Sequence, residues 1–196
     1  IYATSTTGNI MIRGGGTGII NGGDSGIIAD TRFLPLGGNV VISDFTAVTS
    51  VDTGIWALAD TGTVNIDSIG SVNTGGHGVL VNSTGTVSVG QTAAMGPIFS
   101  GQNGIFIEQL FDSSSNGSIF ASATNITSGT HGIRTISWEE LTQIQASGAI
   151  ASGFTGIYGT STTGDIEINI APTASVRGNH FGVATETTTG LATVNN

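Results

Sequence analysis

The residues that could carry chemistry are few. Gly23-Asp24-Ser25-Gly26 has the form of a serine nucleophile set between glycines. Such a serine needs a histidine base and an acid to orient that histidine. The histidines, His77, His131 and His180, all follow it, and none is placed as its partner by position. The same short stretch recurs as Val51-Asp52-Thr53-Gly54, Gly76-His77-Gly78, Gln102-Asn103-Gly104 and Phe154-Thr155-Gly156, which marks it as a repeated corner. His77 and His131 occupy one position of that corner, two units apart, with His180 offset by one residue. At about 4.8 Å per stacked strand their backbones are ~10 Å apart, too far to share one metal ion. Glu139-Glu140 is the one adjacent acid pair, and the other acids are scattered singly. A pair of catalytic carboxylates needs a defined separation and environments that drive their pKa values apart. We therefore expect no catalytic residues, no metal and no cofactor.

What positions these residues is a repeat. Gly156-Ile157-Tyr158-Gly159-Thr160-Ser161-Thr162-Thr163-Gly164-Asp165-Ile166-Glu167-Ile168 nearly copies the opening Ile1 to Ile12. A chain that resembles itself at a fixed period of 20–50 residues is read first as a repeat architecture. Aligning on glycine followed by Ile or Val places unit starts at Ile1, Ile27, Ile55, Val79, Ile105, Ile133, Ile157 and Val183, which are 24 to 28 residues apart. Each unit holds three short alternating segments separated by Gly, Thr, Asn or Ser, the pattern of strands and turns. The second segment aligns Ile10, Val40, Val64, Val87, Ile119, Ile166 and Ala192, and beside them Ile12, Ile42, Ile66, Val89, Ala121, Ile144, Ile168 and Val194. The third aligns Ile20, Val48, Val72, Ile98, Ile126, Ile150 and Val176. Unit six is irregular, because Thr142 falls where an aliphatic is wanted. β-Branched residues stacked like on like suit pleated surfaces. The pattern predicts an all-β chain, a right-handed parallel β-helix with three short strands per coil and about eight coils, ~35 Å long. The whole span 1–196 is expected to form a single β-helix segment, a fragment of a longer chain. Longer corners are expected at 31–38, 90–97 and 109–117. The one helical turn expected is Ser137 to Thr142, with Ser137 as its cap.

Composition excludes several classes. Lys and Arg together number 4, all arginine, and the net charge is −9. Nucleic-acid affinity comes largely from basic side chains meeting phosphate, so no nucleic-acid partner is expected. No apolar run approaches the ~20 residues of a membrane span, so no membrane insertion of this segment is expected. Cysteine is absent, which excludes a disulfide scaffold and thiolate metal sites. The Thr clusters at Thr160 to Thr163 and Thr187 to Thr189 are expected in turns, not in the flat array that ice binding would call for. Asn82-Ser83-Thr84, Asn116-Gly117-Ser118 and Asn125-Ile126-Thr127 match the glycan-acceptor pattern, which arises often by chance in such a composition.

One surface feature stands out. If the first residue of each unit points inward, the next points outward. That position holds Tyr2, Ile28, Trp56, Leu80, Phe106, Arg134, Tyr158 and Ala184. An outward apolar stripe on a rod marks an interaction surface. Tyr2, Ile28, Trp56, Leu80, Phe106 and Tyr158 are the candidate binding residues.

The Gly-Ile/Val strand openings, followed by turns such as Thr7-Gly8-Asn9-Ile10, Thr61-Gly62-Thr63-Val64, Thr84-Gly85-Thr86-Val87 and Thr163-Gly164-Asp165-Ile166, give a resemblance along essentially the whole chain. The sequence resembles passenger regions of Gram-negative autotransporters and related large β-helical surface adhesins. That resemblance implies an extracellular, cell-surface location and a rod-like, non-catalytic stalk. It also implies adhesion or self-association, with a host or neighbouring-cell surface, a glycan or a second copy as partner. A glycan-active β-helical enzyme or tailspike, or a structural filament repeat, is the alternative.

Overall fold

The computed structural model describes residues 1–6, 8–32, 37–110 and 117–196. Its core is lined by the aliphatic columns of the sequence. Ile27, Ile55, Val79, Ile105, Ile133 and Ile157 are fully buried, as are Val48, Val72 and Ile98 of the third-strand column. Each such side chain contributes about 1.5–3 kcal/mol by leaving water. Because the residues of one column are one coil apart, every unit must bury its face against its neighbours.

The backbone winds as a parallel β-helix of about seven turns. First strands form an eight-stranded sheet: Tyr2–Thr4, Ser25–Asp30, Thr53–Leu58, Val79–Ser83, Ile105–Gln109, His131–Ser137, Thr155–Ser161 and Phe181–Thr187. Register follows the repeat, with Ile27 opposite Ile55, Ile55 opposite Val79 and Ile157 opposite Val183. Second and third strands fall in one 13-stranded sheet, again all parallel where they pair across coils. Eight first strands enclose about seven full turns, one fewer than the number of unit starts.

Two expectations need correction. In the first two coils the second and third strands are continuous, Ile10–Asn21 and Val40–Ser50. The chain turns there through a shift in the pairing register between Arg13 and Ile19, with Gly15 and Gly16 (φ 65° and 79°) and Asp44 (φ 64°) in left-handed conformations. Nor does Ser137 to Thr142 form a helical turn: no helix occurs among the described residues. Ser137 ends one strand and Thr142 starts the next, with bends between. Ser137 Oγ donates to the Thr160 carbonyl and accepts from Thr142 Oγ1 at 2.9 Å, so it links strands instead of capping a helix. That bond also explains the misfit in column two, since Thr142 is fully buried with its hydroxyl satisfied.

The long corners are tied down by buried polar side chains at their bases. Thr31 Oγ1 donates to the Gly38 carbonyl at 2.9 Å. Gln109 donates from Nε2 to the Gly117 carbonyl. The Asp67 carboxylate accepts from Thr92 N, Thr92 Oγ1 and Ala93 N, holding the 90–97 corner against the coil beneath. The tips of the 31–38 and 109–117 corners lie outside the described residues.

At the start of each first strand the coils approach closely. A Cβ on Gly54 would stand 2.5 Å from the Gly78 carbonyl oxygen and 2.5 Å from Val72 Cγ1. The equivalent Gly26, Gly78, Gly104, Gly132 and Gly156 meet the next coil in the same manner. Glycine recurs there because any side chain would push two coils apart.

Candidate functional site

The outward stripe is a true ladder. Tyr2 pairs with Ile28, Ile28 with Trp56, Trp56 with Leu80, Leu80 with Phe106, Phe106 with Arg134, Arg134 with Tyr158 and Tyr158 with Ala184. Strand alternation sends these side chains away from the buried columns. All are half-buried except Tyr2, which is 71% exposed.

Polar groups two positions further along the strands fasten parts of the ladder. Trp56 Nε1 donates to Asn82 Oδ1 at 3.2 Å, and Asn82 Nδ2 donates to Glu108 Oε2 at 3.1 Å. Tyr158 Oη donates to Glu186 Oε2 at 3.2 Å. Burial, first, and the Glu186 carboxylate, second, push the Tyr158 phenol above its usual range. Glu108 and Glu186 are three rungs apart, about 14 Å. That exceeds the ~5–9.5 Å separating carboxylates that act together on one glycosidic bond.

The far end of the ladder gathers rings and a cation. The Arg134 guanidinium carbon lies 4.9 Å from the Phe106 ring centre and 5.9 Å from that of Tyr158. Such contacts hold a guanidinium by attraction to the ring face. His131 stacks on Tyr158 at 5.4 Å and meets Phe154 edge-on at 5.4 Å, while Phe154 and His180 are 4.4 Å apart. His77 sits 5.7 Å from Phe106. Its Nδ1 is 3.2 Å from Asn103 Nδ2, and Asn103 Oδ1 accepts from Thr130 Oγ1 and His131 N. One continuous network of contacts thus runs from His77 through Phe106, Arg134, Tyr158, His131 and Phe154 to His180. His131, Phe154, Thr155, Tyr158, Phe181 and Ala184 line a pocket of about 220 Å³ at its end.

Burial pushes both His77 and His131 below the usual imidazole range. For His77 the nearby Asp52 opposes this and Arg134 adds to it; for His131 Arg134 adds to it.

Sequence reasoning found the ladder but missed Phe154, Phe181 and the histidines as its companions. They lie in the corner before the first strand (His77, Phe154, His180) or at that strand's first residue (His131, Phe181), where no alternating pattern marks which way a side chain faces. The signal available was the corner alignment itself, in which His77, Asn103, His131, Thr155 and Phe181 share one position.

The other candidate groups stay apart. No group of three or more His, Asp or Glu side chains that could hold a metal occurs among the described residues. In the Gly23 to Gly26 corner, the Asp24 carbonyl accepts from the Asp52 and Thr53 amides, which stitches adjacent coils. Of the glycan-acceptor asparagines, Asn82 is bonded within the ladder and Asn125 Oδ1 accepts from Ala149 N; Asn116 lies outside the described residues. Thr160 belongs to the strand Thr155–Ser161 and Thr187 ends the strand Phe181–Thr187, so those Thr clusters lie partly in strands and not wholly in turns. No helix among the described residues is long and apolar enough to cross a membrane. Comparison with protein-family models, with curated proteins and with solved structures finds no match to this chain.

Proposed function

We propose that this chain is a non-catalytic rod segment of an extracellular β-helical adhesin of the autotransporter-passenger kind. Its outward first-sheet ladder is the docking face for a cell surface. The observation that carries this reading is the ladder itself: eight rungs in unbroken register, apolar or aromatic at most of them, outside the core of a chain with net charge −9. Large apolar side chains contiguous along an outer wall are the kind of patch that marks an interaction site. The wide spacing of Glu108 and Glu186 supports a binding role over hydrolysis.

The test is the paired variant Trp56→Ser, Phe106→Ser, assayed for self-association and for adhesion of beads coated with the chain to cells. Association is expected to be abolished with the β-sheet circular dichroism intact. Undiminished adhesion and self-association by a folded pair variant would overturn the reading.

A further inference from the structure

Three stretches of the chain carry the Asn-X-Ser/Thr pattern to which N-linked sugars are attached, and the asparagines of two of them are described. The fold treats those two in opposite ways. Asn82-Ser83-Thr84 is closed off. Asn82 Oδ1 accepts from Trp56 Nε1, and Asn82 Nδ2 donates to Glu108 Oε2. Ser83 and Thr84 are buried, and Thr84 Oγ1 donates to the Asp60 carbonyl at 2.6 Å. Both the amide nitrogen and the hydroxyl of that stretch are therefore already engaged.

Asn125-Ile126-Thr127 is open. Asn125 is the last residue of a corner, immediately before the strand Ile126–Ser128. Ile126 is buried in the third-strand column, so alternation sends Asn125 and Thr127 outward together, and both are exposed. Asn125 Oδ1 accepts from Ala149 N at 3.0 Å, which holds the amide with its oxygen toward the next coil. Its Nδ2, the atom that would carry a sugar, has no partner among the described residues. The neighbours on the next coil, Ala149 and Ala151, are exposed alanines that leave room beside it.

We propose that Asn125 is an acceptor for N-linked glycosylation and that Asn82 in the folded chain is not. In the transfer, Asn125 Nδ2 forms a bond to C1 of a sugar activated as its nucleotide diphosphate. The bond from C1 to the phosphate oxygen breaks, and the nucleotide diphosphate leaves with the electron pair. Nδ2 gives up one proton to a base of the transferring enzyme, and nothing is oxidised or reduced. The Thr127 hydroxyl, two residues on and facing the same way, is the group that such an enzyme reads beside the amide. The site belongs to the third strands and the docking ladder to the first, so this inference stands independently of that ladder.

The chain recovered from the cells that make it is expected to carry a sugar on Asn125 and none on Asn82, read by tandem mass spectrometry. In vitro, the folded chain is given UDP-glucose and a soluble transferase specific for Asn-X-Ser/Thr, beside synthetic peptides of the two stretches. One hexose is expected at Asn125 of the folded chain and none at Asn82, with both peptides modified. Asn125→Asp keeps an oxygen for the Ala149 amide, as Asp165 does for Leu191 N, but removes the nitrogen; it should lose all modification at this position and stay folded. Thr127→Ala leaves the corner bond intact and should lose the modification as well. Bare Asn125 in the recovered chain would overturn the proposal. So would equal modification of Asn82 and Asn125 in the folded chain, or a Thr127→Ala chain modified as fast as its parent.

Discussion

Replacing Gly54 with alanine asks whether coil spacing is set by close backbone approach. The added Cβ would lie 2.5 Å from the Gly78 oxygen and 2.5 Å from Val72 Cγ1, each 0.9 Å short of an ordinary 3.4 Å contact. Neither wall yields easily. The Gly78 carbonyl accepts the Ile55 amide at 3.0 Å, and Val72 sits in a fully buried column between Val48 and Ile98. Overpacking of this kind costs about 1–3 kcal/mol. Breaking the inter-coil hydrogen bond to make room adds about 1–3 kcal/mol. For a chain of this size the sum corresponds to a fall in Tm of roughly 5–20 °C. The control is Gly23→Ala, where an added Cβ meets nothing within 4 Å; it should leave stability unchanged or raise it by up to ~1 kcal/mol. Thermal melts followed by circular dichroism compare the two. Amide exchange at Ile55 and Val79 locates the damage, since a repeat array can open one coil at a time. A Gly54→Ala chain that melts like the Gly23→Ala control, with unchanged exchange, would refute the reasoning.

Acid should weaken the fold through His77 and His131. Their folded pKa values are depressed below the ordinary 6.5, so the unfolded chain binds more protons and stability rises with pH. Their contribution is complete above about pH 6.5 and is lost as the pH falls through that value toward the folded pKa. Urea midpoints should therefore drop between about pH 7.5 and pH 5, and the paired variant His77→Asn, His131→Asn should flatten the slope; a slope unchanged in that variant would contradict the assignment. The Trp56→Ser, Phe106→Ser chain should melt somewhat lower, because it loses the Trp56–Asn82 hydrogen bond and the Phe106–Arg134 contact, yet remain folded.

The interior was legible because a column of Ile and Val must recur at one position in every unit to close a core between stacked coils. Ile55 and Val79 could be placed opposite each other from the sequence alone, and they pair in the structure. The outward ladder followed from the same register. Corners were less legible, because they are shaped by hydrogen bonds between residues distant in sequence. Asp44 and Ser68 adopt positive φ without being glycine, which no local pattern announced. Ser137 looked like a helix cap, but its partners are Thr142 and, a coil away, Thr160. For Arg134 the ladder position was readable, while its place between two rings needed the coordinates of three coils at once.

The central claim is that the first sheet carries an outward-facing ladder rising one rung per coil. Because the chain has no cysteine, spin labels can be placed singly and without background. Labelled pairs Ile28→Cys with Tyr158→Cys, and Ile28→Cys with Ala184→Cys, are separated by five and six rungs. Pulsed electron resonance should give backbone separations of about 24 Å and about 29 Å, growing by ~4.8 Å for the added coil. Distances that fail to increase with rung number, or labels shielded from solvent relaxants, would contradict the account.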